Sequence, residues 1–177
     1  MKRRQFLKLT LMGGIFVSFG GVGCVGLLAG TNKNELTIDV GLRQLEHFSN
    51  KPIIHLGQWT PYQIFSHCAQ SVEYSMSGYP EQDSALFQNT VGKLVFSYFT
   101  SKGNMSHGLT DPVPGAPPLE VNEDTASALV RLRKALTNFK NYQGKLEPHF
   151  SYGQLTKEEF TVAHIMHLNN HLEELKT

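Results

Sequence analysis

Cysteine is scarce: only Cys24 and Cys68 occur in 177 residues. Removal of an N-terminal segment ending beyond Cys24 would leave one. A lone cysteine makes no internal disulfide, so nothing in the fold would depend on an oxidising compartment. Cys68 follows a histidine on an expected helix and reads as a small buried residue. Charge is also sparse. Charged residues make up 18% of the chain, and the formal net charge is +1. Four of the 16 basic residues are Lys2, Arg3, Arg4 and Lys8, so the remainder is slightly acidic. No basic patch or stripe survives there, which argues against nucleic acid as a partner. Strand-like alternation, internal repeats and low-complexity runs are missing too.

What the chain does have begins at its N-terminus. No acidic residue precedes Glu35, and Leu9 to Ala29 is apolar and small, with glycine at 13, 14, 20, 21, 23 and 26. A basic start followed by a short apolar run is an export signal. The run Lys2-Arg3-Arg4-Gln5-Phe6-Leu7-Lys8 resembles the twin-arginine motif, with Lys2 where Ser or Thr is more usual. Residues 1–31 are therefore expected to be a signal, with the twin-arginine translocase as partner during export. The other reading is a retained membrane anchor, although a span needs about 20 apolar residues and six glycines make a poor one. Gly21-Val22-Gly23-Cys24 also resembles a lipoprotein processing site, but lacks the usual Leu or Val at Gly21. Every reading places the rest of the chain in the periplasm or outer cell envelope. Membrane contact would come only through this segment or a lipid on Cys24.

Residues 35–177 suit one domain with one core. Ile38, Leu42, Leu45 and Phe48 suggest a first helix from about Thr37 to Asn50. Thr60-Pro61-Tyr62-Gln63 combines a Thr cap, a proline at the first helical position and a Gln at the third. That second helix should stop at Gly78-Tyr79-Pro80. Asp83 or Ser84 caps a third, with Leu86, Phe87, Leu94, Val95, Tyr98 and Phe99 as its apolar residues, ending near Gly103. Gly103 to Leu119 holds four prolines and three glycines and is not regular helix. Asn122 should cap a fourth helix to about Tyr142, with Leu129, Leu132, Leu136 and Phe139 inward. Lys145 to Leu155 is irregular, and Thr156-Lys157-Glu158-Glu159 is a capping box opening a last helix to about Leu175. The expected fold is all-α, an antiparallel four-helix bundle with long irregular loops.

The chemical signal lies in the histidines. His164, His167 and His171 fall at about 0°, −60° and −20° on a helical wheel. Phe160, Leu168, Leu172 and Leu175 share that side, so the imidazoles point into an apolar face. A buried polar group without a partner costs a few kcal/mol, and a metal would satisfy several at once. His167 and His171, four residues apart, can hold one ion from adjacent turns, with His164 as the rival partner of His167. On the second helix His67 shares a polar stripe with Gln63, Gln70, Ser71 and Tyr74, while Phe65, Val72 and Met76 face away. The wheel leaves two readings open: the stripe lines a pocket, or it faces water.

Several runs together bear a likeness. They are Gln58-Trp59-Thr60-Pro61…His67…Gln70-Ser71; Met105-Ser106-His107-Gly108…Pro112-Val113-Pro114-Gly115-Ala116-Pro117; Pro148-His149-Phe150-Ser151-Tyr152-Gly153; and Ala163-His164-Ile165-Met166-His167…Asn170-His171-Leu172. They resemble a bacterial family of unknown function within the DinB-like (YfiT-like) superfamily of metalloenzymes. The resemblance covers nearly the whole chain after the signal. It implies a four-helix bundle with a divalent ion on three histidines: one from the second helix and an H-x-x-x-H pair from the last. Here these fall on His67, His167 and His171. The ion is left open among Zn, Ni and Fe, all of which suit nitrogen ligands.

Members of the wider superfamily include metal-dependent thiol transferases that use bacillithiol, mycothiol or glutathione. The two irregular segments are particular to this branch. They carry His107, His149 and Tyr152, which are candidates to act beside a metal as acid, base or binding groups. Asp111 and Glu147, each before a proline, read as turn residues. The leading expectation is an exported metal-dependent enzyme, thiol-transferase-like or hydrolytic, acting on a small molecule. The alternative is a non-catalytic helical module that binds a metal or a partner.

Overall fold

The computed structural model describes residues 36–122 and 124–177. The expectations for Arg3, Arg4, Cys24 and the apolar run fall outside them. No described helix is long and apolar enough to cross a membrane.

The described chain is mostly helical. The helices are α1 (Ile38–Glu46), α2 (Pro61–Ser77), α3 (Ala85–Phe87), α4 (Lys93–Lys102), α5 (Thr125–Asn141) and α6 (Lys157–Leu172). A π-helical turn, Gln88–Gly92, joins α3 to α4. Local chemistry explains most ends. Thr60 and Thr156 each accept from the backbone of the third helical residue, and Gln63 and Glu159 reach back to complete two capping boxes. Gly103 ends α4 in the left-handed conformation, with φ of 72°.

Both α1 and α2 pack against α5 and α6. Their inward faces supply the core, including Leu45, Ile64, Phe65, Leu132, Leu136, Phe139, Phe160, Ile165 and Met166. Leu45, Phe65, Leu132, Leu136, Phe139 and Phe160 are positions expected from the helical period; Ile64, Ile165 and Met166 join them because α2 and α6 are buried on more than one face.

Four expectations need correction. First, α1 ends at Glu46, with single turns rather than helix up to Asn50, which takes a positive φ of 59°. Second, Asp124, not Asn122, caps α5; the Asn122 side chain instead accepts from the Asp124 amide at 2.8 Å. Third, α6 stops at Leu172, and Leu175 belongs to a short strand, β2 (Leu175–Lys176), paired antiparallel with β1 (Ile54–His55). This pairing ties the chain's end to the loop before α2.

Fourth, the apolar residues expected of the third helix divide: Leu86, Leu94 and Tyr98 are exposed, Phe87, Val95 and Phe99 line a cavity, and Phe96 is the buried one. The π turn carries an extra residue, which rotates α4 relative to α3. At its end the Ser151 carbonyl presses against Gly92, where a Cβ would lie 2.0 Å from that oxygen. At its start the Gln88 side-chain Nε2 donates to the carbonyl of Phe150 at 3.0 Å and to that of His149 at 3.4 Å. The 149–153 loop is thereby fastened across the turn.

Candidate functional site

The polar stripe of α2 faces inward. His67, Gln70 and Ser71 are buried. Gln63 and Gln70 donate to the carbonyls of Leu119 and Pro117, at 3.5 and 3.4 Å, and so hold the proline-rich loop against the helix. That loop contributes Met105 and Val113 to the core. Its other anchor is on α6, where the Asn170 side chain accepts from the His107 amide at 3.3 Å. One helix of this pair presents His67; the other presents His167 and His171.

The three imidazoles converge. Each offers a ring nitrogen, and these atoms lie within 4.8 Å of one another. Ring centroids are 4.9 Å apart for His67 and His167, and 4.8 Å apart for His171 with either of them. Nε2 of His67 and Nε2 of His167 are 3.0 Å apart. Two bare lone pairs at that distance repel, so the pair needs either a proton or a cation. His171 is wholly buried, and neither of its ring nitrogens has a hydrogen-bond partner among the described residues. Nδ1 of His67 is orphaned in the same way.

Burial holds all three neutral. It pushes His67 down to about 4, with nearby His107 adding to the effect. Burial, then His67 and His107, takes His171 to about 3. His167 is held well below the ordinary imidazole range, chiefly by burial and then by its histidine neighbours. Neutral imidazole is the form that ligates a metal. The donor set, its convergence and its orphaned atoms therefore fit a divalent cation on His67, His167 and His171.

His164 is not part of this set. Its Nε2 lies 3.2 Å from Ser75 Oγ, whose own proton goes to the Val72 carbonyl at 2.7 Å. The serine oxygen must therefore accept, so His164 is the Nε2–H tautomer. Its ring sits edge-on to Phe139 and stacks on Phe160. It is a core histidine with its own partner.

His107 approaches the triad from the loop. Its ring is 4.9 Å from that of His167 and 5.1 Å from that of His171. Nδ1 lies 2.9 Å from the Gly108 carbonyl, which only accepts, so Nδ1 bears the proton. Nε2 is then a lone pair, buried and unpartnered among the described residues.

The other two candidates of the loops, His149 and Tyr152, stack on each other at 4.3 Å and 9°. They make no ring contact with the triad. A cavity of about 440 Å³ connects the two groups; His67, His107 and His167 line one part of it, and His149 and Tyr152 another.

Sequence reasoning missed three supports. Trp59 stacks parallel to His171, with centroids 5.9 Å apart and planes 8° apart, and also lies against His67. Asn170 positions His107, and Ser75 removes His164 from contention. The placement of Trp59 just before the α2 cap was a signal that could have found the first. The others depend on which loop meets which helix.

No curated protein and no solved structure matches the chain. A family model described as "Protein of unknown function (DUF1569)" matches residues 31–177. The chain therefore belongs to that family.

Proposed function

We propose that this protein is an exported metalloenzyme of the DinB-like class, built on an antiparallel four-helix bundle of α1, α2, α5 and α6. One observation carries the reading: His171, fully buried with both ring nitrogens unpartnered, meets His67 and His167 at one point. An isolated buried imidazole costs stability and would be selected against without a use. His67, His167 and His171 would hold a divalent ion, which would supply Lewis-acid chemistry toward a water or thiol.

The chain's own residues supply the rest. Trp59 stacks on His171 and keeps water from that side of the ring. The Gly108 carbonyl fixes the proton of His107 on Nδ1, so Nε2 is the base that takes up a proton from a nucleophile entering through the cavity. The reaction is hydrolysis or thiol transfer on a small electrophile. The cavity favours this over a purely structural ion, because it opens beside two of the three candidate ligands, His67 and His167.

The test is metal content. Untagged protein is expected to hold about one equivalent of a divalent metal by elemental analysis, lost in His171→Ala. After chelation the protein should stay folded by circular dichroism. Unfolding on chelation would indicate a structural ion instead. A metal-free protein under every loading condition would refute both metal readings. Export has its own check: the double variant Arg3→Lys, Arg4→Lys should accumulate in the cytoplasm, and unchanged export would remove the twin-arginine route.

A further inference from the structure

The cavity has a second chemical end that the metal reading does not use. Its lining includes no lysine or arginine, and Asp111 is its one charged residue. Phe87, Phe99, Phe150, Met105 and Val95 provide much of its wall. Away from the ion proposed on His67, His167 and His171, a carboxylate or phosphate inside would find no counter-charge and would lose its hydration.

His149 sits at the end away from the triad and is buried. Its own loop closes tightly: the His149 amide donates to the Gly153 carbonyl at 2.8 Å, and the Gly153 amide returns the bond at 3.0 Å. Within that loop the backbone N–H groups of Ser151 and Tyr152 both point at Nδ1 of His149, each at 3.2 Å. Nδ1 therefore accepts and bears no proton. The ring is held between Phe150 and Tyr152, stacked on both. A neutral imidazole with a bare Nδ1 must carry its proton on Nε2. No described protein group takes that proton, and the residue lines the cavity.

We propose that this cavity selects a neutral, largely apolar molecule bearing a carbonyl-type acceptor, and that Nε2–H of His149 reads that acceptor. This deepens the metalloenzyme reading and rests on it only for the reacting end. The substrate is a neutral ester or amide, small enough for about 440 Å³, and a ketone serves as its unreactive mimic. His149 is a specificity residue here, distinct from the base His107.

Three naphthalene probes test this by calorimetric titration: 2-acetylnaphthalene, 2-ethylnaphthalene and 2-naphthoate. Each is titrated into the protein as purified and again after chelation, so that direct binding of naphthoate to an ion is separated from binding to the cavity. The ketone should bind about tenfold more tightly than the hydrocarbon, the size of one buried hydrogen bond. The anion should bind more weakly than both after chelation. In His149→Phe the ketone should fall to the level of the hydrocarbon, whose binding stays unchanged.

A second measurement does not depend on that variant folding. Long-range ¹⁵N–¹H spectra of histidine-labelled wild-type protein should show His149 as the Nε2–H tautomer, with its ¹⁵N shifts moved by the ketone and not by the hydrocarbon. Equal binding of ketone and hydrocarbon, tight naphthoate binding after chelation, failure of all three to bind, or an Nδ1–H tautomer would each overturn the proposal. Metal content is measured separately. A ketone preference in a protein that takes up no metal would refute the metal reading alone; a metal-loaded protein with no ketone preference would refute this one alone.

Discussion

Two buried histidine groups border one cavity, and they differ in how their nitrogens are satisfied. In the group of His149 and His164 the chain itself answers one nitrogen of each ring: Ser75 accepts from His164, and two backbone amides donate to His149. In the group of His67, His167 and His171 the rings face one another, and three nitrogens, both of His171 and Nδ1 of His67, have no partner among the described residues. Burial pushes His164 and His149 down to about 3, much as it does His171. Depth and titration behaviour therefore do not separate a structural histidine from a ligand. Accounting for each ring nitrogen does.

The largest effect that would sharpen this comparison is acid sensitivity. His149 and His164 are depressed to about 3 when folded, against 6.5 in the unfolded chain. The unfolded state binds more protons between those values. The two residues cost nothing above pH 6.5, and stability falls as the pH drops below it, levelling off near pH 3. In urea unfolding the chelated protein should lose stability between pH 7 and pH 5, to which the triad also contributes, and His164→Leu should lessen that loss by about 2 kcal/mol. A flat profile over that range would mean that neither ring is held neutral.

A smaller effect should separate the two groups by sign. His164→Leu removes a hydrogen bond to Ser75 and two aromatic contacts. It should destabilise the chelated protein by about 2 kcal/mol at pH 7. His171→Leu removes two orphaned nitrogens and keeps the volume. It should stabilise the chelated protein by about 1 kcal/mol while abolishing metal uptake. Urea midpoints of the two variants, read side by side, check both. Losses of similar size at both positions would erase the distinction between an answered and an unanswered imidazole.

The sequence by itself determined the features that depend on a few neighbouring residues. Thr60 with Gln63, and Thr156 with Glu159, start their helices because side chain and backbone meet within one turn. His167 and His171 share a face because the helical period puts them there, and the stripe carrying His67 was legible on the same ground. Only the tertiary structure decided the rest, because each outcome depends on a distant segment. The expected inward face of α3 and α4 was split once the π turn and the 149–153 loop set their rotation: Leu86, Leu94 and Tyr98 face outward, while Phe87, Val95 and Phe99 line the cavity. His164 and His171 each lie within about one turn of His167, and the period alone made them rivals as its partner. Ser75, far away on α2, answers His164, and His171 is left facing His67 and His167. Whether a buried nitrogen has a partner is a property of the packed chain, since the partner comes from another helix or loop and no local pattern encodes its approach.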